Sequence, residues 1–161
     1  MSKIFPVIAL TGASGAGKSN IKEIFTGIFD ELDISVLYVE GDSFHKYNRV
    51  QMENLIKSDN TFTHFSPKAN LLKKLENVLS DFGSKGEATV RKYIHSSEEG
   101  REHSLSPGNF TAWQQTTRDH SMLFYEGLHG GHIGRDANVL KHIDLLIGIA
   151  PVINLEWIQK I

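Results

Sequence analysis

The chain has 161 residues with a formal net charge of −2, 40% hydrophobic and 22% charged, an ordinary globular balance that excludes a disordered chain and offers no overall basic field for nucleic acid or a membrane surface. It holds no cysteine, which removes disulfides and thiolate metal sites. No apolar run approaches the ~20 residues that cross a bilayer, and the run Ile4–Leu10 leads at once into a glycine-rich loop, so the sequence reads as a soluble, cytoplasmic protein without a signal segment.

In chain order, Ile4–Thr11 has the length and apolar content of a buried first strand. Gly12-Ala13-Ser14-Gly15-Ala16-Gly17-Lys18-Ser19 follows, with the form G-x-x-x-x-G-K-[ST] of a P-loop. Its glycines let successive backbone N–H groups turn inward on a phosphate, at the partly positive start of a helix. Lys18 would reach the β- and γ-phosphates of a nucleotide, and Ser19 would reach magnesium. Ile21, Ile24, Phe25, Ile28, Phe29 and Leu32 then recur at helical spacing, giving an apolar face for packing on a sheet. Ile34–Glu40 reads as a second strand, parallel to the first through a right-handed crossover.

The segment Gly41–Arg49 leaves the carboxyl end of that second strand, the rim where ligands of open α/β sheets bind. Two readings of it stand side by side. Asp42 is a base for a phosphoryl-accepting hydroxyl while His45 and Arg49 hold an acceptor that already carries phosphate, or Asp42 caps the next segment and His45 and Arg49 are solvated loop residues. Val50–Lys57 reads as a helix, and so does the segment carrying Leu71, Leu72, Leu75, Val78, Leu79 and Phe82, stopped by Gly83-Ser84-Lys85-Gly86.

Thr89–His95 is compatible with a short strand that pairs with Phe110–Trp113 as a β-arm across the site, with 96–109 as irregular chain between them. Alternation puts Tyr93 and His95 on one face, either against a substrate or simply at the surface. Ser121–Glu126 is an apolar strand closed by an acid; Glu126 is the candidate to orient magnesium, against the alternative of a strand-end carboxylate in solvent. His129 and His132 lack a metal-binding spacing and read as loop residues. Ile143–Ile149 reads as a further buried strand, and Val152–Ile161 as the start of a helix.

Together the P-loop, GDSFH with Arg49, HFSPKANLL, RKYIH, PGNFTAW, LFYEGLHGG and DLLIGIAPVINLEWIQKI resemble the bacterial phosphoribulokinase family, in order and spacing, along essentially the whole chain. The resemblance implies a P-loop NTPase-like α/β fold, with a mostly parallel sheet, flanking helices and a small β-arm. It implies transfer of the ATP γ-phosphate, with Mg2+, to the 1-hydroxyl of ribulose 5-phosphate. By the same resemblance Asp42 is the general base, His45, Arg49, Tyr93 and His95 bind the sugar phosphate, Glu126 is the second acidic group and Lys160 an active-site lysine. Family members assemble as homo-oligomers and continue well past Ile161. Residues 1–161 are thus expected to be one P-loop kinase domain incomplete at its C-terminus, binding nucleotide weakly and turning over slowly or not at all. A uridine kinase-like enzyme and a non-catalytic nucleotide-binding remnant are the alternatives.

Overall fold

A computed structural model describes residues 4–59 and 61–150. Four parallel strands form the central sheet: β1 (Val7–Gly12), β2 (Val36–Glu40), β5 (Met122–Gly127) and β6 (Leu145–Ile149), in the order β2-β5-β1-β6. The period-2 alternation of a strand divides β1 between two cores. Val7 and Ala9, with Leu37, Val39, Leu123 and Tyr125, pack under Leu75, Val78, Leu79 and Phe82 of α3 (Leu72–Lys85). Ile8 and Leu10, with Met122 and Phe124, face Ile21, Phe25 and Phe29 of α1 (Lys18–Glu31) on the other side. The result is a three-layer α/β/α arrangement in which each helix covers one face of the sheet. Phe82, Leu79 and Phe124 have no exposed surface, each contributing on the order of 2–3 kcal/mol of apolar burial.

Several expectations are redrawn by this packing. The first two strands run parallel as expected, and β5 inserts between β1 and β2 and pairs with both. Of the α1 stripe only the row Ile21, Phe25, Phe29 seats on the sheet, whereas Ile24, Ile28 and Leu32 are 58%, 44% and 63% exposed. The two rows are neighbouring i, i+4 ridges, and one helix lying on a flat sheet buries one of them. The segment Ile143–Ile149 does supply a strand, yet it is not buried. β6 lies at the sheet edge, pairs only with β1 among the described strands, and leaves Leu145 and Leu146 49% and 38% exposed.

Helix α2 (Arg49–Ser58) begins at an Asn48–Gln51 capping box, each side chain bonding the other's backbone N–H. Gly86 closes α3 in the left-handed conformation at φ 74°. The β-arm exists, but its regular ladder is shorter than the expected strands and lies beyond Trp113. Its ladder is β3 (Thr89–Val90) with β4 (Gln114–Gln115), followed by a lone Tyr93–Phe110 bridge. Between them the Lys92 N–H donates to the Thr111 hydroxyl rather than to a carbonyl, so the regular ladder is interrupted. Within 96–109, expected to be irregular, lies α4 (Ser97–His103). Its signal was in the sequence: Ser96 accepts from the Glu99 N–H, in the S-x-x-E pattern of an N-cap.

Candidate active site

The carboxyl ends of β1, β5 and β2 lie side by side, with Leu10 opposite Glu126 and Glu126 opposite Glu40. Whatever follows those strands therefore converges on one rim. Here the chain opens a cleft of about 880 Å³ lined by Ser14, Gly15, Lys18, Ser19, Asp42, His45, Arg49, Tyr93, His95 and Glu126, among others. Thus every expected site residue outside the loop lines this cleft, apart from Lys160, which lies outside the described residues.

At one side of the cleft, residues Gly12–Ser19 wrap from β1 into α1. Gly15 and Gly17 sit at φ 78° and 86°, a region that costs a side-chain-bearing residue roughly 1 kcal/mol or more. The Lys18 ammonium donates to the Ala13 carbonyl at 3.0 Å and stands 3.6 Å from the Glu126 carboxylate. The lysine and the acid closing β5 thus face each other across the mouth of the loop. Ser19, in the first turn of α1, is exposed beside them. A hydroxyl and a carboxylate form an all-oxygen donor set of the kind magnesium prefers, so these two residues fit that ion.

On the other side, the 3-10 turn Gly41–Phe44 follows β2 directly. Its tight start needs glycine: a Cβ on Gly41 would stand 2.9 Å from both the Gly127 Cα and the Tyr125 hydroxyl oxygen. Asp42 is half exposed, with one carboxylate oxygen 3.2 Å from His45 Nε2 and the other 3.9 Å from His95 Nε2. The hydrogen bond from His45 holds the Asp42 carboxyl below the usual carboxylate range, against the opposing effect of burial. Burial disfavours the charged His45 ring, but the hydrogen bond and charge of Asp42 outweigh it and raise His45 above the ordinary imidazole value. The capping alternative for Asp42 fails, since Asn48 caps α2. Tyr93 and His95 flank this pair, their rings 4.8 Å apart, while Ile94 between them is buried.

Three contributors to the site were not read from the sequence. His64 stands 5.6 Å from the His45 ring, and burial lowers its basicity. The Asn70 side-chain oxygen, an acceptor, stands 2.9 Å from His45 Nδ1. Arg91 donates to the Ser43 carbonyl at 2.8 Å and the His45 carbonyl at 2.7 Å, with its guanidinium over the Phe110 and Trp113 rings. Arg91 thereby ties the β-arm to the turn that carries Asp42 and His45. His129, expected to be a loop residue, lines the same cleft, and burial lowers its pKa to about 4.

Residues 7–161 match the family model described as the phosphoribulokinase / uridine kinase family. The chain belongs to that family. Among curated relatives, phosphoribulokinase 2 of Cereibacter sphaeroides is 44% identical and phosphoribulokinase of Rhizobium meliloti 45% identical, each across 100% of this chain. The probable phosphoribulokinase of Escherichia coli is 42% identical over the same extent. The chain spans 57% of the length of each of these relatives. Among solved structures, phosphoribulokinase from Rhodobacter spheroides superposes with a TM-score of 0.85 at 40% identity, over 99% of this chain and 56% of that one. A possible uridine kinase from Bacillus stearothermophilus, at 12% identity and TM-score 0.64, shares the fold. The P-loop kinase fold of the phosphoribulokinase / uridine kinase family thus accounts for the mostly parallel sheet and its flanking helices.

Proposed function

We propose that the protein transfers the γ-phosphoryl group of ATP to the 1-hydroxyl of ribulose 5-phosphate, giving ribulose 1,5-bisphosphate for carbon fixation in the Calvin cycle. What supports this reading above all is the placement of Asp42, with His45 and His95, across one cleft from Lys18 of the phosphate loop, in a chain 42–45% identical to phosphoribulokinases.

Phosphoryl transfer asks the protein mainly for positioning and charge compensation. The backbone N–H groups of Gly12–Ser19 and the Lys18 ammonium hold the nucleotide phosphates. Ser19 and Glu126 would hold Mg2+, which neutralises charge on the β- and γ-phosphates when bound. Asp42, kept ionised by its bond to His45, accepts the proton of the acceptor hydroxyl as its oxygen bonds to the γ-phosphorus and the bond to the β–γ bridging oxygen breaks, releasing ADP. His45 and Arg49 give the cleft cationic groups for the acceptor's own phosphate, with Tyr93 and His95 along its path. This feature favours a phosphorylated acceptor over a neutral nucleoside. The same reading gives Lys160 a place in the active site. It also sets the reaction in the cytoplasm; no described helix is long and apolar enough to cross a membrane.

The test is a coupled assay of ADP release with ATP, Mg2+ and either ribulose 5-phosphate or uridine. Turnover with ribulose 5-phosphate that falls about 10³-fold in Asp42→Asn is expected from loss of a general base. Turnover with uridine alone, or equal turnover by Asp42→Asn, refutes the proposal.

A further inference from the structure

His45 and Asn70 belong to distant stretches that the backbone zips together. They form an antiparallel bridge, flanked by bonds from the Lys46 N–H to the Ala69 carbonyl at 2.8 Å and from the Leu71 N–H to the Phe44 carbonyl at 2.7 Å. Asn70 is one of two polar residues buried in the described core, at 8% exposure. Its side-chain nitrogen donates to the His64 and Ser66 carbonyls, both at 2.8 Å. Two carbonyls can be met only by the N–H₂ end of the amide, so the orientation of Asn70 is fixed and its oxygen must face His45 Nδ1 at 2.9 Å. An oxygen there requires a proton on Nδ1.

The other ring nitrogen, Nε2, stands 3.2 Å from an Asp42 carboxylate oxygen. A carboxylate is also only an acceptor. A neutral imidazole has one N–H and cannot satisfy both partners; with Nδ1–H it would turn a lone pair onto a carboxylate. The geometry is satisfied by the imidazolium, which donates at both ends. The other groups around His45 divide in sign. Arg91, bonded to the His45 carbonyl from the β-arm, opposes the charge, and so does His64 if protonated. Tyr93 meets the ring edge-to-face at 6.1 Å, His95 and Lys18 act on Asp42, the partner of Nε2, and His129 faces the charge of His45 across the cleft.

We propose that Asn70 is the positioning residue that holds His45 as a doubly protonated ring, with Nδ1–H anchored in the wall and Nε2–H donated to Asp42, so that the ring's positive charge stands at the cleft for a phosphorylated, dianionic acceptor. The second half of that statement rests on the proposed kinase reading; the first does not. Asn70 reaches no reacting atom itself. It acts by removing the alternative Nε2-only tautomer and its rotation, so that the charge is in place before the acceptor arrives.

The deciding experiment is a 15N-histidine NMR titration of the protein, with His45 assigned by loss of its signal in His45→Gln. In the wild type, Nδ1 should stay protonated throughout, and Nε2 should lose its proton with a midpoint above the ordinary imidazole value. Asn70→Leu should bring the midpoint down by about one pH unit and give mixed tautomers. Asn70→Asp keeps the acceptor and adds a charge, so it should move the midpoint up. Kinetics supply the second arm. Asn70→Leu should raise KM for ribulose 5-phosphate about tenfold while KM for ATP stays within twofold, with the loss of acceptor binding at high pH starting about one unit earlier. A wild-type His45 carrying its single proton on Nε2 at neutral pH overturns the proposal. So do midpoints unmoved by both variants, or KM values for both substrates that rise together. If Asn70→Leu does not fold, the wild-type tautomer and Asn70→Asp decide. If no phosphorylation of ribulose 5-phosphate is found, the kinase reading falls while the NMR arm still judges Asn70.

Discussion

Replacing Arg91 by alanine should unfasten the β-arm from the turn that carries Asp42. The wild-type guanidinium makes two charge-assisted hydrogen bonds, to the Ser43 and His45 carbonyls, and lies 3.7 Å from the Phe110 ring centroid and 4.6 Å from that of Trp113. Bonds of this kind contribute about 1.5–3 kcal/mol each, and stacking on partly desolvated rings about 0.5–2 kcal/mol. These contributions share one side chain and water can reach the emptied place, so the expected loss is about 3–4 kcal/mol rather than their full total. Arg91→Lys keeps a charge able to reach one carbonyl but loses the planar fork and the stacking, and should cost about 1–2 kcal/mol. Urea unfolding followed by far-UV circular dichroism measures both, with linear extrapolation to water. The order wild type, Lys, Ala is expected. An Ala variant within 0.5 kcal/mol of wild type would show that Ser43 and His45 hold their turn without Arg91, and the latch reasoning would be refuted.

Lys18→Met removes the ammonium beside Ala13 and Glu126 and should weaken ATP binding at least tenfold by calorimetry, since a charge-assisted phosphate contact is lost; unchanged affinity would exclude Lys18 from the phosphate site. Gly127→Ala should destabilise by more than about 2 kcal/mol in the same urea assay, because its Cβ would clash with the Tyr125 hydroxyl and stand 2.8 Å from the Gly41 Cα. Tyr125 cannot retreat, being fully buried between the strand ends. His129 sets a pH dependence. Burial lowers its folded pKa from 6.5 to about 4, so between those values the unfolded chain binds the proton and the folded one does not. Stability should therefore fall as pH drops from 6.5 toward 4, and His129→Gln should flatten that slope in urea midpoints taken across the range.

Much of the site was legible because its parts are contiguous or sit at strand ends. Gly12–Ser19 is a local device whose glycines, lysine and serine act within one turn of chain. Asp42 was found by a topological rule, that residues leaving the carboxyl ends of parallel strands meet at a common rim, and Glu126 as the acid that closes a buried strand; the register of β1, β5 and β2 puts both at that rim. Tyr93 and His95 followed from strand alternation, which left open whether their shared face was cleft or solvent. The N-cap of α4 at Ser96 was written in the sequence and was hidden by the polar composition around it.

What the sequence by itself determined is the chemistry-bearing inventory and the alternation of strands and helices, since periodicity, caps and the phosphate loop act over a few residues. The tertiary structure alone decided that β5 inserts between β1 and β2, that β6 rather than a buried strand forms the edge, and that only one ridge of α1 reaches the sheet. It alone joined Asn70 to His45 across 25 residues and Arg91 to Ser43 across 48. Those bonds depend on how packed layers bring distant backbones together, and no local pattern of residues encodes a distance of that kind.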